Sequence, residues 1–344
     1  MSEFNVQVVK IREVKDHENA DSLQITVVNN GYPVIFKKGS FKENDLAVYI
    51  PVDSLVPLNN EYFSFLITPG STDFYRIKAK RLRGVFSMGM LIKNYGNWSE
   101  GENVQDYIGI KKWEPELNID LGSENEPDYG LTSYYDLKGL RQYKNVIPIG
   151  ETVVISEKIH GTNSCFVWST EYDRLLVKSH NAYKIESPTN LYWKTAIKYN
   201  LQRVLKEVCP DIAIFGEIFG MTKGFKYGFD SSNLQLRLFD AYNIKTNQFL
   251  DFDKLQEIVD NIDDWYTHKL GPTYPSLLLV PIISITTWCG LTEEIKNMAE
   301  GNSKLANHVK EGFVVGTFNE MYDLHIGRLK LKYHGEGFLT NKHS

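Results

Sequence analysis

Residues 4–50 alternate short apolar runs with turn signals, a pattern that predicts strands. The runs are rich in Val and Ile and cover residues 4–8, 23–28, 32–36 and 47–50. Asn29-Asn30-Gly31 supplies a turn between two of them, and Pro51 closes the last one. Several short strands at this close spacing predict a small barrel or sandwich.

The rest of the chain mixes strand and helix patterns. Strand-like runs occur at 153–156, 164–168, 212–215, 236–239, 313–315 and 329–332. Helical periodicity over 190–208 stops before Pro210, and two further helices are predicted at 252–262 and 293–299. The second part is therefore expected to contain both sheets and helices.

Length and composition are those of an ordinary globular protein with two domains or one large one. The chain has 344 residues, 42% of them hydrophobic, and a formal net charge of −5. This slightly acidic balance gives no overall sign of nucleic-acid binding, so such a partner must be held by local patches. No apolar run is long enough to span a membrane, and the N-terminus lacks the pattern of a signal peptide. The three cysteines are odd in number and far apart, which favours a reducing cytoplasm over a disulfide framework.

Charge varies strongly along the chain and predicts a domain boundary. The densest basic stretch covers 76–84, and an acidic stretch with Pro and Gly follows at 113–130. The second stretch has the composition of a linker or an exposed connection. We therefore expect an N-terminal domain over residues 1–125 and a larger domain over residues 126–344.

The segment that carries candidate chemistry is Glu-Lys-Ile-His-Gly-Thr-Asn at 157–163. Lys158 follows a predicted strand and precedes a glycine turn, which places an amine at the mouth of a sheet. Such an amine is a candidate nucleophile, although most lysines in this setting are simply solvated. Two strand-end acids, Glu217 and Glu311, and the alternating pair Lys330 and Lys332 favour the catalytic interpretation by their order and spacing.

These motifs together resemble the covalent nucleotidyltransferases, which include RNA ligases, DNA ligases and mRNA capping enzymes. The signature of that group is a Lys-x-x-Gly nucleophile motif, a Glu motif, an aromatic-Asp motif, a second Glu motif and a Lys-x-Lys strand. This chain has, in the same order, Lys158 to Gly161, Glu217, Phe239-Asp240, Glu311-Gly312 and Lys330 to Lys332. The His and Thr-Asn around the glycine make the nucleophile segment similar to that of RNA ligases in particular.

The resemblance implies a nucleotide site around the lysine. Lys158 would attack the α-phosphorus of ATP and become lysyl-AMP, with Glu157 and Ile159 beside it in the same site. Glu217 would accept hydrogen bonds from the ribose hydroxyls. Phe239 would stack on the face of the adenine.

The resemblance also implies groups for the phosphates and a metal ion. Lys330 and Lys332 would neutralise phosphate oxygens and, as nearby cations, favour the uncharged form of Lys158. Glu311 would bind a divalent cation, Mg²⁺ or Mn²⁺, partly through water. Asn163 would hold one of the metal-bound waters.

Four further residues have alternatives that the sequence leaves open. Arg141, upstream of the nucleophile, is a candidate contact for phosphate or an RNA end, and the sequence favours the alternative of a surface arginine. Asp240 has no defined role and is as well explained as a buried structural acid. The family often has an arginine on the strand after the nucleophile, and here Lys178 or His180 takes its place.

The N-terminal part resembles the OB domain of the RNA ligase 5 family, whose members have an OB module before the catalytic domain. Matching segments lie at 20–23, 38–41, 45–50 and 81–84. The basic run with Phe74, Tyr75 and Phe86 is typical of an OB surface that follows a nucleic-acid backbone, with a solvated strand face as the alternative. The expected fold is α+β, with an N-terminal OB-type β-barrel followed by an ATP-grasp-like nucleotidyltransferase domain built on antiparallel sheets with flanking helices.

The function implied by the resemblance is an ATP-dependent RNA ligase that joins RNA 3′-OH and 5′-phosphate ends through a lysyl-AMP intermediate. Its family tends to seal nicked duplexes, which implies RNA repair by a monomer in the cytoplasm, or the host cytoplasm for a viral protein, without membrane contact. Two alternatives are an mRNA capping guanylyltransferase and an RNA-binding OB protein with an inactive nucleotidyltransferase domain. The nucleophile segment and the few residues after Lys332 disfavour a capping enzyme or a DNA ligase. The complete set of motif residues disfavours an inactive domain.

Overall fold

The computed structural model describes residues 4–113, 124–132, 135–220, 227–228 and 234–341. Most of the acidic stretch that carries the predicted domain boundary, residues 114–123, lies outside them. The N-terminal part contains a 3₁₀ helix, Glu61–Leu66. Its strands are β1 Gln7–Lys10, β2 Lys15–Asp16, β3 Leu23–Val28, β4 Tyr32–Lys37, β5 Leu46–Ile50, β6 Ser54–Pro57, β7 Phe74–Arg76, β8 Lys80–Leu82, β9 Val85–Ser87, β10 Met90–Lys93 and β11 Lys111–Lys112.

A central three-stranded sheet, ordered β1-β5-β10, organises the N-terminal domain. Successive side chains on a strand point to opposite faces, and here both faces are buried. Val8, Val48 and Ile92 lie in one hydrophobic core, whereas Val9 and Tyr49 lie in another. Two more three-stranded sheets, β2-β3-β4 and β11-β6-β7, and the β8-β9 hairpin complete the domain, which is all-β as the strand pattern predicts.

The second part contains the remaining strands and all five α-helices of the described residues. The strands are β12 Lys138–Gly139, β13 Thr152–Lys158, β14 Gly161–Ser169, β15 Arg174–Ser179, β16 Ile212–Phe219, β17 Gln235–Asn243, β18 Gln248–Phe249, β19 Leu278–Leu279, β20 Ile282–Thr287, β21 Gly312–Thr317, β22 Tyr322–Asp323, β23 Gly327–Arg328 and β24 Lys330–His334. The helices are α1 Leu191–Lys198, α2 Leu201–Val208, α3 Phe252–Leu270, α4 Glu293–Asn297 and α5 Glu336–Leu339.

Two largely antiparallel sheets form this second part. One has the order β12-β24-β21-β13-β20, and the other has the order β15-β14-β16-β17-β18, with β19 paired to β17. Helices α1, α2 and α3 contribute Leu191, Val204 and Ile262 to a core shared with Phe166 and Ile214 of the second sheet. Consecutive strands β13 and β14 belong to different sheets, so the chain passes between the sheets at residues 158–161.

The helix predicted over 190–208 is two helices, and the single-helix prediction was wrong. Asn200 has φ 48° and ψ 39°, a left-handed conformation that interrupts the helical backbone hydrogen bonds between α1 and α2. Asparagine adopts this conformation more readily than most residues, which the hydrophobic periodicity does not reveal. Helix α3 continues beyond the predicted end at 262 to Leu270, where Gly271 with φ 95° ends it.

The N-terminal domain docks on the C-terminal end of the chain. Arg81 in β8 forms an ion pair with Glu336 in α5 at 2.5 Å. The guanidinium of Arg141 lies 5.8 Å from the centroid of the Phe86 ring. A Cβ on Gly31 would lie 2.1 Å from the carbonyl oxygen of Arg141, so only glycine fits at this close approach. The junction therefore places the N-terminal domain beside the end of β24 and α5.

None of the helices in the described ranges is both long and apolar enough to cross a membrane. The three cysteines are free thiols, with Cys165 and Cys209 buried and Cys289 exposed. Burial raises the pKa of Cys165 and that of Cys209 to about 12. Both therefore act as small hydrophobic core residues.

Candidate nucleotide-binding site

Strand pairing brings the predicted nucleophile to the predicted metal ligand. Lys158 ends β13 and lies opposite Gly312, the first residue of β21, so Glu311 stands beside it. The Nζ of Lys158 is 2.8 Å from Oε1 of Glu311. Gly312 has φ 150°, and a Cβ there would lie 2.0 Å from the carbonyl oxygen of Tyr333. Only glycine therefore permits the close strand packing that places Glu311 here.

Two histidines complete the surroundings of Glu311. Nε2 of His334 lies 3.1 Å from Oε1, the same oxygen that contacts Lys158. Nδ1 of His160 lies 3.3 Å from Oε2. The backbone N–H of His160 donates to the hydroxyl of Tyr227 at 3.0 Å, which fixes the turn after the nucleophile. The carboxylate of Glu311 is thus bonded on both oxygens.

Burial and charge act against each other at this ion pair. Burial disfavours the charged lysine, yet the carboxylates of Glu311 and Glu217 together raise the pKa of Lys158. Burial also disfavours an ionised Glu311, but Lys158 and the two histidines hold the pKa of Glu311 well below its usual range. The cationic form of Lys158 therefore prevails in this state, opposite to the effect expected from the two strand lysines alone.

The second sheet brings Glu217 to the same place. Glu217 on β16 pairs with Asn163 on β14, so the two side chains share a face. Gly161, the first residue of β14, packs against β16. A Cβ at this position would lie 2.3 Å from the carbonyl oxygen of Ile218, so only glycine fits there. Burial raises the pKa of Glu217 to about 8, since the opposing effect of Lys158 is smaller. The Glu217 carboxyl is therefore largely protonated at neutral pH.

The two lysines of β24 have different partners. Lys330 Nζ lies 2.8 Å from Asp240 Oδ2 and donates to the carbonyl oxygen of Phe239 at 2.8 Å. Lys332 Nζ lies 3.7 Å from Asp136 Oδ1. Burial lowers the pKa of each lysine, and the charge of Lys158 adds to this effect at Lys332. Lys332 is therefore electrostatically coupled to the nucleophile, whereas Lys330 is anchored to the aromatic-Asp motif.

Asp240 is the centre of a buried polar network. Its side chain accepts a bidentate pair of bonds from Arg328 at 2.7 Å each and a bond from the hydroxyl of Tyr135. Arg328 also bonds Glu320 and lies 3.8 Å from the centroid of Phe249. These charge-assisted bonds hold the pKa of Asp240 at about 2 although burial opposes ionisation. The geometry gives Asp240 the role of a buried structural acid that also anchors Lys330.

Three further predicted site residues have mainly structural contacts. The carboxylate of Glu157 accepts bonds from Ser303 Oγ at 2.5 Å and from the backbone N–H of Lys304 at 2.8 Å. Ile159 is buried in a small core with other apolar residues at the turn. Arg141 donates to the carbonyl oxygen of His334 at 3.0 Å and lies at the domain junction. Nucleotide or RNA contacts by these residues stay predictions.

Lys178 and His180 are the two candidates to replace the arginine that the family often has on the strand after the nucleophile. They lie in different surroundings. Lys178 is buried, donates to Thr132 Oγ1 at 3.0 Å and lies 5.1 Å from the centroid of Tyr183. His180 is half-buried, and burial together with the positive charge of Lys332 lowers its pKa. His180 therefore lies close enough to Lys332 to interact with its charge.

The basic run at 76–84 predicts an RNA-binding surface, but some of its side chains contact other parts of the protein. Arg76 stacks on the Trp113 ring at 3.1 Å, and Arg81 pairs with Glu336. Phe86 is buried at the domain junction, so it does not lie on the exposed surface expected to follow a nucleic-acid backbone. A buried face of a short hairpin cannot be recognised from a basic run because the docking partner is distant in sequence.

Sequence reasoning missed two residues that flank the Lys-x-Lys motif, Arg328 at the end of β23 and His334 at the end of β24. Side chains two apart on a strand share a face, so Arg328, Lys330, Lys332 and His334 follow one another along one side of the chain. Extending the period of the Lys-x-Lys motif by one step in each direction would have found both. Their partners, Asp240 and Glu311, belong to the family motifs.

Two sequence models of known families match this chain. One described as RNA ligase matches residues 151–334, and one described as an OB-fold domain matches residues 5–93. The first match covers more than half of the 344 residues. The chain belongs to the RNA ligase family. The predicted family and the N-terminal OB fold are thereby confirmed, and neither the capping enzyme nor the inactive OB protein is favoured. The narrower RNA ligase 5 assignment stays a prediction.

Solved structures of a Naegleria gruberi RNA ligase have the same fold as this RNA ligase family member. A mutant with ATP and Mn aligns with a TM-score of 0.80 at 23% identity, over 97% of this chain and 98% of that one. The same ligase with pyrophosphate aligns with a TM-score of 0.78 at 23% identity, over 98% of each chain. The predicted order of OB-type barrel and nucleotidyltransferase domain is confirmed. No curated protein sequence matches this chain.

The donor set of the ligase suits a hard divalent cation bound together with a substrate. The described residues contain no cluster of three or more His, Cys, Asp or Glu side chains placed to hold a metal ion. Mg²⁺ in nucleotide enzymes is commonly held by one or two carboxylates plus substrate phosphates and water. Glu311 supplies an ionised carboxylate next to Lys158, which fits that mode of binding.

Proposed function

We propose that this member of the RNA ligase family is an ATP-dependent RNA ligase that joins RNA 3′-OH and 5′-phosphate ends through a lysyl-AMP intermediate on Lys158. The observation that carries the proposal is the contact of Lys158 with the buried carboxylate of Glu311 at 2.8 Å. Glu217 and Lys332 act electrostatically on the same lysine. The proposed nucleophile, the proposed metal-binding carboxylate and a proposed phosphate-binding cation thus act on one another electrostatically.

In the first step the Nζ of Lys158 forms a bond to the α-phosphorus of ATP. The bond from that phosphorus to the bridging oxygen breaks, and pyrophosphate leaves. Lys158 must give up a proton and separate from Glu311 before it can attack. A divalent cation, Mg²⁺ or Mn²⁺, held by Glu311 with a water on Asn163, would neutralise the phosphate oxygens when bound. Lys330 and Lys332 supply further positive charge for those oxygens.

In the second and third steps AMP first activates the RNA end and then leaves. An oxygen of the RNA 5′-phosphate attacks the phosphorus of lysyl-AMP, the N–P bond breaks, and Lys158 regains its proton. The RNA 3′-OH then attacks the activated 5′-phosphate, and AMP departs as the phosphodiester forms. Lys158 is needed as a nucleophile only in the first step, whereas Lys330 and Lys332 can stabilise phosphate charge in all three.

The domain division predicted from the sequence suits this function. Core residues of the N-terminal domain extend to Ile110, whereas Leu131 and Tyr135 pack in the ligase domain. We therefore keep the domains as 1–125 and 126–344. The adenine stacking of Phe239 and the ribose contact of Glu217 belong to the same proposal.

The proposed RNA surface lies on the exposed basic residues of the OB domain. Lys80, Arg83, Lys111 and Lys112 are exposed there. The charge of Lys112 also acts on Lys332, so positive potential continues from the OB domain to the site. We propose nicked duplex RNA as the substrate, with the protein acting as a monomer in the cytoplasm.

Sealing of nicked duplexes tests the acceptor and the surface together. Wild-type protein, ATP and Mg²⁺ or Mn²⁺ are expected to seal a nick with RNA on the 3′-OH side and not one with DNA on that side. The triple variant Lys80→Ala, Arg83→Ala, Lys111→Ala is expected to seal more slowly and with a weaker dependence on salt. Equal sealing of DNA and RNA ends would contradict the RNA specificity. Unchanged sealing by the triple variant would contradict the surface.

A further inference from the structure

Glu311 has three partners on two oxygens, and they come from two segments of the chain, the turn at 158–160 and strand β24. Oε1 is shared by Lys158 at 2.8 Å and His334 Nε2 at 3.1 Å. Oε2 faces His160 Nδ1 at 3.3 Å. The carboxylate is buried, so its orientation depends on these partners.

Lys158 cannot be the group that keeps Glu311 oriented during the reaction. The amine has to move to the α-phosphorus of ATP, and it then carries AMP instead of a free charge. His160 belongs to the same turn as Lys158, two residues further along the chain, so it approaches Glu311 from the same segment as the nucleophile. His334 lies on a different strand, β24, and does not depend on that turn.

His334 is fixed independently of the nucleophile. Its backbone pairs with Gly312, the residue after Glu311, in the antiparallel β21–β24 ladder. Its carbonyl oxygen accepts a bond from Arg141 at 3.0 Å. Its ring stacks on Phe338, with centroids 6.0 Å apart and an angle of 20° between the planes. The ring therefore has a defined direction toward Glu311 Oε1.

We propose that His334 is a positioning residue that holds the carboxylate of Glu311 for the divalent cation once Lys158 has left it. An ionised carboxylate only accepts hydrogen bonds, so the Nε2–H of His334 donates to Oε1. The second lone pair of that oxygen, which Lys158 faces in the present state, then becomes available to the cation. The proposal rests on the proposed function, since it assumes that Glu311 binds the metal of the ligase reaction.

Manganese binding in the absence of the nucleophile tests the proposal directly. The Lys158→Ala variant reproduces the loss of the amine from Glu311 and cannot form lysyl-AMP, so binding is measured without turnover. With saturating AMP present to supply the substrate phosphate, free Mn²⁺ is followed by its EPR signal in Lys158→Ala alone and in combination with His334→Ala, His334→Gln or His334→Asn. Glutamine places an N–H near the position of Nε2, whereas asparagine places it near Nδ1. His325→Gln, on the exposed turn between β22 and β23, is the matched control.

The expected result is a loss of Mn²⁺ affinity by about 10–100-fold with His334→Ala, the range for partners that orient metal ligands. His334→Asn should resemble His334→Ala, His334→Gln should restore most of the affinity, and His325→Gln should have no effect. In proteins that keep Lys158, the Mn²⁺ concentration for half-maximal adenylylation should rise in the same order.

Two outcomes would overturn the proposal. One is Mn²⁺ affinity in His334→Ala equal to that of the parent, and the other is an equal loss in the alanine and glutamine variants, which would indicate a purely structural role. A wild-type protein that takes no label from ATP would instead overturn the proposed function. Normal wild-type labelling with unaltered metal dependence in His334→Ala would overturn only the role of His334.

Discussion

Lys158 and the buried carboxylate of Glu311 form an ion pair of 2.8 Å between the end of β13 and the residue before β21. The pair joins the group that must become a nucleophile to the group that must bind a metal ion. Each stabilises the charged form of the other, so the lysine is held protonated. Release of Lys158 from Glu311 is therefore part of the first chemical step.

Replacing Glu311 by glutamine should stop adenylylation while keeping the shape of the site. The amide carries no charge for either Lys158 or the cation, so the single-turnover rate of labelling should fall by about 100-fold or more. Glu293→Gln, on the exposed side of α4, should label like the wild type. A Glu311→Gln protein that labels at the wild-type rate would remove Glu311 from the mechanism.

Replacing Glu217 should separate a hydrogen-bonding role from a charge role. Because burial raises the pKa of Glu217 to about 8, the carboxyl is mostly neutral at pH 7 and resembles an amide. Glu217→Gln should therefore keep a KM for ATP near that of the wild type at pH 7. Glu217→Ala should raise it by about tenfold, the worth of one hydrogen bond to the ribose. Equal KM values for the glutamine and alanine variants would argue against a ribose contact.

The network around Asp240 should be a major source of stability. Asp240→Asn leaves Arg328 and Lys330 without their shared carboxylate, and breaking such a buried pair costs about 3–5 kcal/mol in free energy of unfolding. Urea unfolding at pH 7 measures this cost. Asp173→Asn, at an exposed ion pair with Lys206, should change the free energy by about 1 kcal/mol or less.

The same network predicts how this cost varies with pH. The pKa of Asp240 is depressed to about 2 in the folded protein, so its contribution is full well above the unfolded pKa of about 3.9. The contribution is lost as the pH falls through the folded pKa. The difference in unfolding free energy between wild type and Asp240→Asn should therefore shrink as the pH falls from about 5 toward 2. A difference that is constant over this range would contradict the ion-pair account.

The domain junction should be sensitive to a single methyl group. Gly31→Ala would place Cβ 2.1 Å from the carbonyl oxygen of Arg141, so the N-terminal domain must shift. Limited proteolysis between the domains should become faster. Gly101→Ala meets no atom within 4 Å and, with φ +86°, tests backbone strain without that contact. Cleavage of Gly31→Ala at the wild-type rate would show that the close approach does not hold the junction together.

The sequence predicted which residues form the candidate site better than it predicted the contacts that hold those residues in place. Lys158, Glu217, Glu311 and Lys332 lie in motifs whose order predicts their meeting, and their electrostatic coupling agrees with it. The Lys-x-Lys period also contained the signal for His334, which was not used. Residues with a repeating strand or family pattern are therefore the ones that a sequence can place.

Contacts between distant segments were not predictable in the same way. The hydrogen bonds from Ser303 and Lys304 to Glu157 join residues nearly 150 positions apart, and no local sequence pattern predicts them. The burial of Phe86 likewise depends on docking against the C-terminal end of the chain. The break at Asn200 reflects one left-handed residue within an otherwise helical pattern.

Transfer of AMP to Lys158 is the most direct test of the account. Protein is incubated with ATP or GTP labelled at the α-phosphate and with Mg²⁺ or Mn²⁺, and the modified residue is located by mass spectrometry. We predict label from ATP on Lys158 that is absent in Lys158→Ala and is released as AMP when nicked RNA is sealed. Label from GTP alone, label on another residue, or no label with either nucleotide would contradict the account.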